Sequence, residues 1–146
     1  MPKMWRVFVD TSALLAGLNS THGASGTVLT LGRAGKLTIV ISPDVVAEAE
    51  RNLPTKFPLL GQAWTTFLLM PPVITKSPTL AAVRRAHQLV PTSDAPILAA
   101  ALTAKSHILV TLDREFIELA HRAELSLPVM LPSVFIDHLR RTTVML

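Results

Sequence analysis

The stretch Arg6-Val7-Phe8-Val9-Asp10-Thr11-Ser12-Ala13-Leu14-Leu15 constrains the fold of this chain more than any other. Val7, Phe8 and Val9 are β-branched or aromatic, with no polar residue between them. That pattern suits a central strand of a parallel sheet covered on both faces. Asp10 falls at the carboxyl end of the run, and Thr11 or Ser12 can cap a helix beginning near Ala13. Open α/β sheets bind ligands at the carboxyl edge of their strands. Asp10 is therefore either a helix cap or the first member of a site.

The rest of the chain repeats the alternation. A polar, glycine-bearing loop over 19–26 leads to a helix over 27–34, then a strand over 37–42 closed by Ser42-Pro43, with Ser42 as cap and Pro43 in the first turn. The following helix runs over 44–53 and is expected to end at Pro54. Residues 57–70 are strongly apolar and nearly uncharged, stopped by Pro71-Pro72. A short strand over 73–75 and a helix over 80–89, with Arg84, Arg85 and His87 on its polar side, come next. Thr92-Ser93-Asp94 is expected to cap a helix from Ala95 to about Ala104, with Pro96 tolerated in its first turn. A strand over 108–111 feeds a helix opening at 112–116, and a strand over 127–131 precedes a final helix from Pro132 to 139–141. Strand alternating with helix predicts an α/β fold with a mostly parallel sheet and helices on both faces. No repeat or linker interrupts it, so residues 1–146 read as a single domain.

Composition narrows the functional classes. No apolar run reaches the roughly 18–20 residues of a membrane span, the N-terminus lacks a signal-peptide pattern, and the chain reads as cytoplasmic. There is no cysteine, which excludes disulfides and thiolate metal sites. The formal charge is +4. If Asp10, Glu48, Asp94 and Asp113 share one pocket, the other six acids face fourteen Lys and Arg. A basic surface around an acidic hole suits an enzyme acting on a polyanion, although ordinary solubilising charge explains the total equally well.

Those four acids occupy comparable places. Asp10 and Asp113 follow strands, Glu48 lies in the helix after the second strand, and Asp94 starts the helix before the fourth. Right-handed parallel connections put strand ends and helix starts on one rim. Each acid alone reads as a cap or a solvated helix residue, and on spacing alone Glu50 competes with Glu48. Together they would repel one another and raise their proton affinities unless a cation neutralised them. An oxygen-only donor set selects a hard ion, Mg²⁺ or Mn²⁺, which promotes phosphodiester hydrolysis through an activated water.

Four ordered segments carry a family resemblance: Val9-Asp10-Thr11-Ser12-Ala13-Leu14-Leu15, Ser42-Pro43-Asp44-Val45-Val46-Ala47-Glu48, Ser93-Asp94-Ala95-Pro96-Ile97-Leu98-Ala99, and Leu109-Val110-Thr111-Leu112-Asp113-Arg114-Glu115-Phe116. The chain resembles PIN-domain proteins of the VapC-like kind found in toxin–antitoxin pairs. The resemblance implies a three-layer α/β/α sandwich with a five-stranded parallel sheet, often dimeric, and a Mg²⁺- or Mn²⁺-dependent endoribonuclease. By the same match Asp10, Glu48, Asp94 and Asp113 correspond to the metal-binding acids. Thr11, Ser12 and Thr111 correspond to hydroxyl positions beside them. Ser12 stands where many relatives have Asn. The resemblance also implies an RNA substrate and a cognate antitoxin partner.

Arg51, Lys76, Arg84, Arg85 and Arg114 are candidates for guiding phosphates, while Lys105, Arg140 and Arg141 are expected further away. The five histidines show no metal-ligand spacing and read as surface or loop residues. The 57–70 segment serves either the core or an interface with a twin subunit or an antitoxin helix, with Trp64 and Phe67 as anchors in the second case. One rival reading is a catalytically silent PIN-like module that binds RNA or protein. Another is a phosphoryl-accepting α/β domain, but Asp10-Thr11-Ser12 lacks the second acid that such a site needs.

Overall fold

The structure, a computed structural model, describes residues 2–69 and 72–142. Five strands form one sheet in the order β3-β2-β1-β4-β5, and every pairing is parallel. They are β1 (Arg6–Val9), β2 (Thr38–Ile41), β3 (Val73–Ile74), β4 (Ile108–Val110) and β5 (Val129–Met130). β1 and β4 lie side by side at the centre, with Val9 opposite Val110. Their apolar residues are almost wholly inaccessible, as continuous apolar runs in a doubly covered sheet require.

The helices are α1 (Thr11–Asn19), α2 (Ala24–Arg33), α3 (Pro43–Lys56), α4 (Gly61–Leu69), α5 (Leu80–His87), α6 (Ala95–Thr103), α7 (Arg114–Arg122) and α8 (Pro132–Thr142). The connections from β1 to β2 and β2 to β3 step one way along the sheet. Those from β3 to β4 and β4 to β5 step the other way. Right-handed crossovers therefore put their helices on opposite faces, giving the three-layer α/β/α sandwich. α6 is apolar nearly all round and buried along most of its length, through Ala95, Ile97, Leu98, Ala99, Ala100 and Ala101.

Several boundaries differ from the sequence expectations. α1 starts at Thr11, and Asp10 itself is the cap, accepting from the Thr11 N–H. α2 starts at Ala24, so the loop is shorter than 19–26. Position 26, inside that helix, takes Gly because a Cβ there would run into the Ser20 carbonyl oxygen, where the chain turns back on itself. α3 passes through Pro54 to Lys56, and the lost amide bond falls in its last turn. The Ser42 cap is as expected, its Oγ accepting from the Val45 N–H. The 57–70 segment is broken into a 3₁₀ turn over Pro58–Leu60 and α4. Its last residue, Met70, and the expected stop at Pro71 lie outside the described residues. Among the described residues no helix is long and apolar enough to cross a membrane.

Candidate active site at the carboxyl rim

The chain leaves β1 toward β2 and β3 and later returns to β4 on β1's other side. The crevice beyond β1 and β4 is therefore the switch point at which open α/β sheets bind ligands. Asp10 and Asp113 come from the segments that follow these two strands. The Asp10 N–H extends the ladder by donating to the Val110 carbonyl at 3.0 Å. The Asp10 side chain is held on both sides: Oδ1 accepts from the Thr11 N–H at 2.7 Å and Oδ2 from the Thr111 hydroxyl at 2.7 Å.

Thr111 is the centre of this network. It is wholly buried, and its single hydroxyl proton goes to Asp10. Its oxygen accepts from the Asp113 N–H at 3.1 Å and, since its own proton is committed, from Ser12 Oγ at 3.4 Å. Ser12 in turn accepts from the Leu112 N–H at 3.1 Å. Two hydroxyls thus tie the start of α1 to the loop after β4, across about a hundred residues of chain. Thr11 contributes its amide instead of its hydroxyl: among the described residues the buried Thr11 Oγ1 has no partner. Asp113 is exposed and caps α7, with Oδ1 accepting from the Phe116 N–H at 3.2 Å.

Asp94 occupies the cap position of α6, but its side chain makes no capping bond. The sequence expectation of a cap is met in place and not in chemistry. Burial raises the proton affinity of Asp94, and the charges of Asp113, Asp10, Glu115 and Glu48 raise it further, to a pKa of about 6. Asp10 is shifted the same way. Burial is the main cause, the Thr111 and Thr11 hydrogen bonds oppose it, and the charges of Glu48 and Asp113 add to it. Asp10 therefore lies within the fields of Glu48 and Asp113, and Asp94 within those of Asp113, Asp10 and Glu48. Glu50 turns away: it is exposed, and its Oε2 accepts from Trp64 Nε1 at 3.4 Å on α4. Glu115 was not singled out from the sequence, yet its charge reaches Asp94. Its place two residues after Asp113 in the first turn of α7 was the available signal.

Among the described residues no three acidic or imidazole side chains stand close enough to close on one ion. The donor chemistry fits a hard divalent cation all the same. Every candidate ligand is a carboxylate oxygen, each Asp10 oxygen keeps a lone pair beyond its one hydrogen bond, and the mutual repulsion at Asp94 and Asp10 calls for a neutralising charge. The Asp94 carboxylate is free of the capping bond that would fix its rotamer, so side-chain rotation is what would bring it in.

Arg51, Lys76, Arg84, Arg85 and Arg114 are all exposed, and none is in either of the ion pairs found among the described residues, Arg122–Glu118 and Arg140–Asp137. Arg114 directly follows Asp113. The 57–70 segment divides its roles. Trp64 and Phe67 are buried and stacked on each other at 5.9 Å, so they serve the core. Leu59 and Leu69 are its exposed apolar residues, at 94% and 76%. A groove of about 640 Å³, lined by Leu29, Arg33, Leu59, Phe67 and Val73 among others, runs between α2, α4 and β3, with none of the acids in its lining.

Comparison with curated protein sequences returns no match. Solved structures do match. VapBC2 from Rickettsia felis, bound to a DNA fragment from their promoter, aligns with a TM-score of 0.61 at 16% identity, over 85% of this chain and 96% of that one. PAE2754 from Pyrobaculum aerophilum aligns at 0.65 and 18%, over 91% and 88%. Mycobacterium tuberculosis VapC20, described as a Sarcin-Ricin loop cleaving toxin, aligns at 0.52 and 18%, over 75% and 92%. At such identities these likenesses show a shared fold. The PIN domain family profile matches residues 6–115, the span that runs from β1 to the start of α7 and carries all four acids. This chain belongs to the PIN-domain family.

Proposed function

We propose that this protein is a divalent-metal-dependent endoribonuclease and the toxin of a toxin–antitoxin pair. The observation that carries the reading is the arrangement at the switch point. Asp10 is oriented by Thr11 and Thr111, while Glu48, Asp94 and Asp113 stand within its field or within one another's. Caps alone would not place carboxylates where the charges of Glu48 and Asp113 raise the proton affinity of both Asp10 and Asp94. An open rim of acids with exposed arginines nearby suits a polyanionic polymer, which slides across a surface instead of entering a closed pocket.

Asp10, Glu48, Asp94 and Asp113 would hold the cation, with Asp10 as the fixed member. Bound Mg²⁺ or Mn²⁺ supplies positive charge beside a phosphoryl oxygen and acidifies water for in-line attack on phosphorus. The Thr111 hydroxyl and the Thr11 amide aim Asp10 from two sides and oppose the rise in its proton affinity, and Ser12 supports Thr111. Arg114, beside Asp113, and Arg51, three residues after Glu48 on α3, neutralise flanking phosphates, with Arg84 and Arg85 at the end of α5 further along the strand. The description of VapC20 as a Sarcin-Ricin loop cleaving toxin supports RNA as the substrate class. That of VapBC2 as a complex supports an antitoxin partner. The exposed Leu59 and Leu69 are where we place a contact with the antitoxin or with a second copy of the chain in a homodimer. Cytoplasmic residence follows from such a substrate.

The test is cleavage of RNA by purified protein in Mg²⁺ or Mn²⁺ against EDTA, beside the Asp10→Asn variant. Metal-dependent cleavage that the variant lacks supports the reading. Equal cleavage by both forms assigns the activity to a contaminant. If neither form cuts, and calorimetry shows Mn²⁺ binding that the variant loses, the silent binding module replaces the nuclease.

A further inference from the structure

The four acids are not held alike. Asp10 and Asp113 are fixed by hydrogen bonds to their own carboxylates, and Glu48 rides on the fourteen-residue helix α3. The Asp94 carboxylate accepts no capping bond. Asp94 closes the non-helical connection 88–94 between α5 and α6, and its carbonyl accepts from the Leu98 N–H at 2.9 Å. Its backbone is therefore set by the first turn of α6 on one side and by that connection on the other.

The connection ends in a turn closed by two amides, Asp94 N–H and Ala95 N–H, which both donate to the Pro91 carbonyl at 3.0 Å. His87, the last residue of α5, reaches over the same stretch. Its Nδ1 lies 3.2 Å from the Val90 carbonyl oxygen and its Nε2 3.4 Å from Thr92 Oγ1. A carbonyl can only accept, so Nδ1 carries the proton, and in the neutral ring Nε2 accepts from the Thr92 hydroxyl. One rigid ring thus spans the two residues that flank Pro91. On its inner side the connection is anchored by Val90, only 4% exposed, whose N–H donates to the Ala86 carbonyl at 3.1 Å. A doubly protonated ring could still donate to both oxygens, so the brace does not depend on the charge of His87.

We propose that His87 is a positioning residue for Asp94: by bridging Val90 and Thr92 it sets the 90–94 turn and hence the point at which Asp94 meets the other acids. The proposal rests on the reading of those acids as a cation-holding set. Partners one step removed from a ligand typically change metal affinity or activity by roughly 10–100-fold. An exposed brace with one long bond belongs at the lower end of that range.

The experiment compares wild type, His87→Ala and His87→Asn in the full chain. The Asn amide nitrogen stands about where Nδ1 does and so keeps the Val90 bond while losing the Thr92 bond. Metal-free amide exchange at Asp94 and Ala95 is read beside Mn²⁺ affinity by calorimetry and the rate of RNA cleavage. His87→Ala is expected to speed exchange at these two amides about tenfold, with β1 and β4 amides unchanged. Mn²⁺ affinity and cleavage should fall by about the same factor, and His87→Asn should recover part of each change. Unchanged exchange at Asp94 and Ala95 overturns the brace, faster exchange with Mn²⁺ affinity and cleavage intact overturns the positioning role, and an Asn variant no better than Ala overturns the part given to the Val90 bond. If wild type neither binds Mn²⁺ nor cuts RNA, the proposed function falls, and exchange alone still decides whether His87 holds the turn.

Discussion

The centre of the sheet and its β3 flank are built on opposite terms. At the centre, β1 and β4 bury every apolar side chain, and the segments at their carboxyl ends are knitted together by hydrogen bonds through Ser12 and Thr111. At the flank, β3 is two residues long with Val73 and Ile74 exposed at 40% and 50%, Leu69 of α4 is exposed, and Val73 lines the open groove. The centre consumes its apolar surface in folding and commits its polar groups to orienting Asp10. The flank leaves apolar surface uncovered. Where chemistry needs fixed geometry, the chain uses strands held by neighbours on both sides. Where it leaves apolar groups uncovered, it uses an edge.

The largest test of this contrast is in the centre. Phe8→Ala should cost about 3–5 kcal/mol of stability in chemical denaturation, since it opens a cavity in a fully buried strand. A cost under about 1 kcal/mol would mean the centre is not the rigid platform described. Asp10→Asn should leave the fold intact by circular dichroism and reduce RNA cleavage by more than about 100-fold, beyond the usual effect of a residue that only supports a ligand. Thr111→Val should cut cleavage or Mn²⁺ affinity by roughly 10–100-fold, and retention of full activity would show that the hydroxyl network is packing alone.

Asp94 gives a test with a definite sign. Its proton affinity is raised on folding, so the metal-free native state binds more protons than the unfolded chain between the ordinary carboxylate range and a pH of about 6, and stability falls as pH rises through that window. Asp94→Asn should therefore raise the thermal midpoint by a few degrees at about pH 7.5 and leave it unchanged near pH 3. Saturating Mn²⁺, at about 100 times its Kd, should stabilise wild type by about 2.7 kcal/mol and the variant much less. A midpoint that drops in the variant at the higher pH would contradict the repulsion. The smallest effect is expected at the flank. Leu59→Ser should change stability by no more than about 0.5 kcal/mol, while weakening any self-association seen by analytical ultracentrifugation.

The element pattern is legible wherever its signal is contiguous. Val7-Phe8-Val9 and Ile108-Leu109-Val110 announce buried strands, and Ser42-Pro43 announces a helix start, because periodicity and capping act over a few neighbouring residues. The boundaries that differ have one cause. Gly26 reads as a loop residue because its purpose, a close approach to the Ser20 carbonyl, involves a contact outside its own helix. Pro54 reads as a stop because its place in the last turn of α3 depends on where the following chain turns.

Alone, the sequence determined the alternation of strand and helix, the acids at the ends of the apolar runs, and through them the family. Tertiary structure alone decided which groups face one another. Strand order brings Thr111 to Asp10 across 101 positions and Ser12 to the Leu112 amide across 100. The packing of α4 on α3 turns Glu50 to Trp64 and leaves Glu48 to act on Asp10 and Asp94. The connection after α5 puts His87 against Val90 and Thr92. Local propensity depends on neighbours along the chain, whereas a hydrogen bond between distant residues exists only once the sheet has chosen its order.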